Sequence, residues 1–273
     1  MRIVAVTGSF DNLRSKAVRF LEEASKMGDL HVGLWSDETA QAIEGKSPRF
    51  PECERLYLVQ ALRYVHQVTV VRGPAKSECQ SWLDALRPDL WVVDGAGDTP
   101  AWRAHAEARG HQYHVIRDKE LEGLPVPPFT SPAPESGRKR VIVTGSFDWL
   151  HSGHVRFFEE ASGLGELYVV VGHDANIKLL KGEGHPLLPQ DERLYMVHSI
   201  RYVHQAVIST GHGWMDAEPD VDRIKPHVYV VNEDGDKPEK RAFCTEHAIE
   251  YVVLKRMPKE GLPKRQSTDL RGF

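Results

Sequence analysis

The sequence has few cysteines, no excess of basic residues and no long apolar run. Cys53, Cys79 and Cys244 are odd in number and scattered, so they build neither a disulfide framework nor a zinc site. The net charge of −4 argues against a general nucleic-acid binder. No apolar run approaches the length of a membrane span, and the chain starts on strand-like residues 3–6 rather than on a signal peptide. We therefore expect a cytoplasmic protein that binds neither nucleic acid nor membranes.

The sequence does contain a clear internal repeat. Gly8–Ser25 and Gly145–Ser162 are identical at 13 of 18 positions at an offset of 137. Glu54–Gln67 and Glu192–Gln205 are identical at 10 of 14 positions at an offset of 138. Matching blocks at one nearly fixed spacing predict a duplicated domain. We expect a first domain at 1–125, a stiff proline-rich linker at 126–139 and a second domain at 140–273.

Each half alternates short apolar strands with helical patterns, which predicts an α/β fold with two tandem Rossmann-like domains. Each domain should hold a parallel sheet with helices on both faces. In the second half we predict strands at 141–143, 167–171, 206–208, 228–231 and 251–254, and helices at 154–162, 190–202 and 238–247. In the first half we predict strands at 3–6, 30–34, 68–71, 90–93 and 113–116.

The most informative motif follows the first strand of the second half, where Gly145-Ser146-Phe147-Asp148 leads to His151-Ser152-Gly153-His154. A strand, a glycine turn and a helix start together form a typical phosphate site, because the free N–H groups of the helix face the ligand. The two histidines could hold a metal, be structural, or donate hydrogen bonds to a phosphate. A metal pair lacks a third ligand nearby, and the surrounding glycines disfavour a purely structural pair.

This arrangement resembles the H-x-G-H signature of a nucleotidyltransferase superfamily that includes glycerol-3-phosphate and ethanolamine-phosphate cytidylyltransferases. The resemblance covers residues 140–273, and it covers 1–125 in the positions that carry the fold. It implies catalytic roles for His151, His154 and Lys181. The residues that it implies for nucleotide binding are Thr144, Gly145, Ser146, Phe147, Asp148, Gly153, Asp174, Lys178, Arg193, Ser267 and Thr268.

Other positions carry weaker implications. Lys178 and Lys181 resemble a lysine-bearing loop that reaches the triphosphate. Arg201 and Trp214 are candidates for the acceptor site, with a surface charge and a packed aromatic as the alternatives. The family usually has an arginine before its Ser-Thr pair; Leu262 stands there instead, so Arg256, Lys264 or Arg265 would have to substitute.

The resemblance implies that a phosphate oxygen of a small phosphorylated acceptor attacks the α-phosphorus of a nucleoside triphosphate, and that pyrophosphate leaves. Mg²⁺ would accompany the nucleotide, and we expect no metal bound by the protein itself. CTP is the favoured nucleotide. The alternatives are an adenylyltransferase that uses ATP on a phosphosugar or a flavin precursor, and a nucleotide sensor without catalysis.

The first copy has Arg14-Ser15-Lys16-Ala17 where the second has its two histidines and glycine. We therefore predict that residues 1–125 do not catalyse nucleotide transfer. Related enzymes often form two-fold dimers, so we expect the two halves to dock as an intrachain pseudo-dimer, which can assemble into a further homo-oligomer. Arg14 and Lys16 could still bind an anion.

Overall fold

The computed structural model describes residues 2–73, 76–130 and 137–270. The chain divides between Leu124 and Pro125 into two compact units. In the described part of the chain, no helix has both the length and the apolar character that crossing a membrane would require.

The N-terminal unit is a parallel five-stranded sheet in the order β3-β2-β1-β4-β5, with helices connecting its strands. The β-branched and aromatic residues of its central strands, such as Val4 and Trp91, are fully buried. Its elements are β1 (Ile3–Gly8), α1 (Ser15–Ser25), β2 (Asp29–Trp35), α2 (Asp37–Glu44), α3 (Glu52–Gln60), β3 (Gln67–Val71), α4 (Lys76–Leu86), β4 (Leu90–Asp94), α5 (Pro100–Arg109) and β5 (Gln112–Ile116).

The C-terminal unit repeats this sheet in the order β10-β9-β6-β7-β8, again with every pair parallel. Val141, Ile142 and Val143 on the central strand are fully buried, as the apolar run predicts. The elements are β6 (Arg140–Gly145), α6 (Ser152–Ser162), β7 (Glu166–Val171), α7 (Asp174–Lys181), α8 (Gln190–His198), β8 (Gln205–Ile208), α9 (Glu218–Ile224), β9 (Val228–Asn232), α10 (Pro238–Glu246) and β10 (Glu250–Leu254).

The predicted fold class, two tandem Rossmann-like α/β units, is confirmed. In each unit the strand order reverses beside the first strand, between β1 and β4 and between β6 and β9. Ligands of open parallel sheets bind at such a switch point, beyond the carboxyl ends of the strands. The topology therefore places the histidine motif, which follows β6, where a ligand site is expected.

Helices α7 and α8 differ from the sequence prediction, and α9 (Glu218–Ile224) was not predicted. Lys178 and Lys181 lie on helix α7, where we expected a loop. Leu179 and Leu180 on this helix are 70% and 54% exposed, so its apolar residues do not form the buried stripe that signals a helix in a sequence. Helix α8 ends at His198 rather than at residue 202, because Ile200 bonds back to Val197 in a tighter turn before β8 begins.

The described part of the predicted linker is attached to the C-terminal unit. Phe129 packs against the unit's core, and the Arg223 guanidinium lies 4.1 Å from the Phe129 ring centroid. The Gln205 side chain donates to the carbonyl oxygen of Pro128 at 3.2 Å. These contacts hold the linker residues up to 130 against the C-terminal unit.

Candidate active site

A cleft of about 430 Å³ opens in the C-terminal unit where β6 and β9 end and α6 begins. Its walls come from the loop after β6, the start of α6, the end of α7 and the turn that contains Trp214. The sequence-predicted residues that line it are Thr144, Gly145, Ser146, Phe147, His151, Gly153, His154, Lys181 and Trp214.

The loop after β6 is shaped by Gly145 and Phe147. A side chain on Gly145 would lie 2.9 Å from the Phe147 ring, so glycine is needed for this close approach. Phe147 has φ +47°, a left-handed conformation that turns its ring into the unit, where it is buried. The ring meets His154 edge-on, with 5.5 Å between centroids, and so packs against one of the two motif histidines.

His151 occupies the N-cap position of α6. Its Nδ1 accepts a hydrogen bond from the backbone N–H of Gly153 at 3.1 Å, which satisfies one of the free donors at the helix start. An accepting Nδ1 carries no proton, so the neutral ring has its proton on Nε2. Nε2 has no hydrogen-bond partner within residues 2–73, 76–130 and 137–270. The ring therefore presents an unused N–H donor at a cleft that it lines.

The His151 and His154 rings stack, with 3.9 Å between centroids and 21° between planes. Burial and the positive charges of Arg256 and Arg265 lower the pKa of His151 to about 3. Burial, together with His151, Arg256 and Lys181, holds the pKa of His154 well below its ordinary value. Both rings are neutral at physiological pH, so they can act as hydrogen-bond donors but not as cations.

Gly153 lies between the two histidines and must remain small. A side chain there would come within 3.0 Å of the His151 ring and 3.5 Å of the carbonyl oxygen of Arg265. In the N-terminal copy the equivalent position is Lys16, and no histidine ring is present beside it. The glycine thus leaves room for the imidazole and for a ligand next to it.

Lys181 reaches the motif from the last residue of α7, where its Nζ donates to Ser146 Oγ at 2.8 Å. Lys178, one turn earlier, instead pairs with Glu183 at 3.0 Å, with its side chain 58% exposed. The structure brings Lys181 to the cleft and leaves Lys178 outside the residues that line it.

Arg256 and Lys240 supply two further cations to the cleft. Arg256, one of three candidates for the missing family arginine, pairs with the Asp234 carboxylate. Lys240 was missed by sequence reasoning; its Nζ lies 5.8 Å from the Tyr229 ring centroid, and burial lowers its pKa. The one sequence signal for Lys240 was that the two copies differ there, with Trp102 at the matching position.

Arg193, predicted to bind nucleotide, lies in the interior instead. It is fully buried and donates to the carbonyl oxygens of Leu188, Ser146 and Gly172 at 3.0, 2.6 and 2.8 Å. It also pairs with Asp174 at 2.7 Å, so that predicted ligand residue is engaged as well. These contacts tie the loop after β6 to the end of β7.

The N-terminal copy contains the same buried arginine. Arg55 is fully buried and donates to the carbonyl oxygens of Phe50, Ser9 and Trp35, and it pairs with Asp37. Because this network persists in a copy without the histidines, we interpret the arginine as support for the frame of each unit. Nucleotide contact by Arg193 and Asp174 stays a prediction.

Asp148 is also buried and bonds to the backbone. It is 4% exposed, lies outside the cleft lining and accepts hydrogen bonds from the backbone N–H groups of Leu187 and Leu188 at 2.8 and 3.1 Å. In the N-terminal copy, Asp11 accepts from Arg49 and Phe50 in the same way. These bonds anchor the loop before α8, and nucleotide contact by Asp148 stays a prediction.

Of the other predicted residues, two line the cleft and two lie outside it. Thr144 Oγ1 hydrogen-bonds Tyr229 OH at 2.9 Å, and Trp214 is half exposed at the cleft. Arg201 is exposed outside the lining. Ser267 begins a 3-10 turn, Ser267–Leu270, and also lies outside the lining, while the side chain of Thr268 lies outside the described residues.

Across residues 2–73, 76–130 and 137–270, no group of three or more His, Cys, Asp or Glu side chains is arranged to hold a metal ion. Lys181, Lys240, Arg256 and the neutral histidines instead give the cleft a set of donors suited to a polyanion. Three cations and two imidazoles around one opening can bind a phosphate chain and stabilise charge that develops on it.

The sequence model described as cytidylyltransferase-like matches residues 5–133 and again residues 142–264. The FAD synthase of Aciduliprofundum boonei is 37% identical over 136 residues, which span 49% of this chain and 84% of that protein. The FAD synthase of Methanosarcina mazei is 32% identical over 135 residues, 49% of this chain and 78% of that protein.

A bifunctional protein HldE from Aliarcobacter butzleri is 37% identical over 120 residues, 44% of this chain and 24% of that protein. Among solved structures, the lipopolysaccharide core biosynthesis protein from Thermoplasma volcanium GSS1 is similar, with 26% identity and a TM-score of 0.37. That similarity covers 48% of this chain and 100% of the other.

Proposed function

Because the chain belongs to the cytidylyltransferase-like family and is a nucleotidyltransferase, we propose that its C-terminal unit transfers AMP from ATP to a small phosphorylated acceptor. The sequence alone favoured CTP. The FAD synthases among its relatives support the adenylyl alternative, since FAD consists of a flavin mononucleotide joined to an adenylyl group.

The observation that carries this proposal is the stacked pair of neutral histidines. His151 has an Nε2–H donor without a partner in the described structure. Arg256 lowers the pKa of both histidines, and Lys181 lowers that of His154. Neutral donors bind anionic oxygen without needing a proton from solvent, and buried donors are more effective than exposed ones. This combination suits a reaction in which negative charge shifts along a phosphate chain.

In the proposed reaction a phosphate oxygen of the acceptor forms a bond to the α-phosphorus of ATP. The bond from the α-phosphorus to the oxygen bridging to the β-phosphorus breaks, and pyrophosphate leaves with that electron pair. His151 and His154 donate to non-bridging and bridging oxygens, while Lys181 and Arg256 offset the charge of the phosphates. No side chain becomes covalently attached, so positioning and charge stabilisation account for the rate.

Mg²⁺ enters this proposal as part of the nucleotide complex rather than as an ion held by the protein. A triphosphate at neutral pH carries several negative charges, and a divalent cation shared by its oxygens lowers the charge that the protein must offset. Omission of Mg²⁺ should therefore abolish transfer. The fold should stay unchanged, as measured by circular dichroism.

The rim of the cleft favours a flat acceptor. Trp214 and Leu180 line it and are 50% and 54% exposed, so the charged cleft also has an apolar part. An aromatic ring system placed against them would remove this surface from water. We therefore propose a flavin mononucleotide as the first acceptor to test, with a phosphosugar as the second.

The test is a pyrophosphate-release assay in which each acceptor is combined with ATP and with CTP, and the product is identified by mass. We expect release with ATP and a flavin mononucleotide, giving a product heavier by one adenylyl group. Release with CTP alone would refute the choice of nucleotide. No release from any pairing, with a folded chain, would refute the transfer itself.

We also predict that the protein is cytoplasmic and that its two halves dock. A chain cut between Leu124 and Pro125 would test the second, since co-purification of the two pieces is expected if the halves dock.

A further inference from the structure

The N-terminal unit retains an open cleft at the place that corresponds to the candidate active site. The cleft measures about 700 Å³, against about 430 Å³ in the C-terminal unit. Its loop has the same shape, since Phe10 has φ +46° where Phe147 has +47°. A cavity of this size is in the range that binds small organic molecules. The copy that lost the histidines therefore kept a ligand-sized space.

The cations that suit a triphosphate have been replaced in this cleft. Glu44 lies at the end of α2 where Lys181 ends α7, and Trp102 lies on α5 where Lys240 lies on α10. Arg14 and Lys16 line this cleft at the positions of His151 and Gly153, and Lys16 pairs with Asp118 at 3.0 Å. A carboxylate in the place of Lys181 repels a phosphate chain, so this cleft is poorly matched to ATP.

Two aromatic side chains line this cleft where the C-terminal unit has a glycine and a lysine. Trp35 ends β2 where the matching position after β7 is Gly172, and it lines the cleft together with Trp102. The Trp102 ring is held edge-on against the buried Trp91, with 5.1 Å between centroids. Trp102 is 7% exposed and Trp35 is partly exposed, so each ring offers part of its surface to the cleft.

We propose that the N-terminal cleft is a second, non-catalytic binding site for a planar heteroaromatic molecule with at most one phosphate. Trp35 and Trp102 provide the aromatic surfaces. Arg14 and Lys16 provide the charge for a single phosphate. A purine nucleotide and a flavin share this chemistry. The inference does not depend on the proposed transfer reaction.

The experiment is calorimetric titration of the full chain with AMP, with flavin mononucleotide and with ATP. We expect at least one of the first two to bind one site with a dissociation constant below about 1 mM. This site should persist in a chain carrying Lys181→Glu and Trp214→Ala, which alter the other cleft. The two probes distinguish a purine from a flavin, and binding of either one to the chain with Lys181→Glu and Trp214→Ala supports the proposal.

Two N-terminal variants each carry the residue found at the matching position of the C-terminal unit. Trp102→Lys and Trp35→Gly should each weaken binding at this site at least about tenfold, since stacking on an aromatic ring contributes that much. Trp35→Phe retains a smaller aromatic ring, so it should weaken binding less while leaving the unit folded. Pyrophosphate release by these variants should remain at the wild-type rate.

Three results would overturn the proposal. The first is that neither AMP nor flavin mononucleotide binds. The second is that all binding disappears in the Lys181→Glu, Trp214→Ala chain while the tryptophan variants bind normally. The third is that ATP binds the N-terminal site more tightly than AMP does. Each result can be obtained without any measurement of nucleotide transfer, so failure here is distinguishable from failure of the proposed function.

Discussion

The backbone N–H of Gly153 donates to Nδ1 of His151 at 3.1 Å, and this bond decides which ring nitrogen carries the proton. The imidazole therefore has two roles: it caps helix α6 through Nδ1 and presents a donor through Nε2. His151→Ala removes both roles. We expect it to reduce turnover by about two orders of magnitude, as loss of one oxyanion donor does, and to lower the free energy of unfolding by about 1 kcal/mol.

His151→Asn separates the two roles. Asparagine is a favoured N-cap residue, so the variant should recover most of the lost stability, but its shorter side chain cannot carry a donor to the position of Nε2. Steady-state kinetics and denaturant unfolding on both variants provide the comparison. Wild-type turnover in His151→Asn would mean that the ring is only a cap.

The buried, neutral histidines should also make stability depend on pH. The pKa of His151 is about 3 in the folded chain, against 6.5 when exposed, and that of His154 is lowered as well. Between pH 6.5 and 3 the unfolded chain takes up protons that the folded chain does not, so stability falls as pH falls. The slope is up to about 1.4 kcal/mol per pH unit for each histidine.

Denaturant unfolding of the C-terminal unit at pH 7, 6 and 5 measures this slope. In His151→Asn the decline should be shallower, because one buried histidine has been removed. An identical decline in the variant and the wild type would contradict the lowered pKa of His151.

The sequence predicted the sheets well because buried parallel strands are continuous apolar runs, as at 141–143. It also predicted the residues that surround the histidines, because strand, turn and helix start are adjacent in the chain. It did not predict that Arg193, Asp174 and Asp148 bond to the protein itself, since a charged residue in a motif gives no indication of whether it faces a ligand or the backbone. Lys240 comes from a distant helix, and only the folded topology places it at the cleft.

Lys181 and Lys178 are a matched pair on one helix with different surroundings. Lys181→Glu introduces the residue that the N-terminal copy has at this position, and it replaces a cation beside Ser146 with an anion. We expect the KM for the nucleotide to rise at least about tenfold and turnover to fall, since a repulsive charge then faces the phosphates. Lys178→Glu makes the same charge change near Glu183 on the exposed side.

The same steady-state assay on both variants is the measurement. We expect Lys178→Glu to stay within about twofold of the wild type, because exposed charges outside the cleft are screened by solvent and salt. Equal effects of the two substitutions would indicate a general electrostatic attraction of the nucleotide rather than a specific contact of Lys181.

Arg193 and Arg55 allow the structural role of the buried arginine to be tested in both copies. Each is fully buried, donates to three backbone carbonyl oxygens and pairs with an aspartate, Asp174 or Asp37. Alanine at either position leaves those acceptors unsatisfied, so we expect each variant to lose about 3 kcal/mol or more of unfolding free energy. Arg193→Ala should destabilise the C-terminal unit and Arg55→Ala the N-terminal unit, which denaturant unfolding followed by amide hydrogen exchange in each unit can resolve. If Arg193→Ala instead kept wild-type stability and raised the KM for the nucleotide, the arginine would be a ligand contact, and the parallel with Arg55 would not reflect a shared structural role.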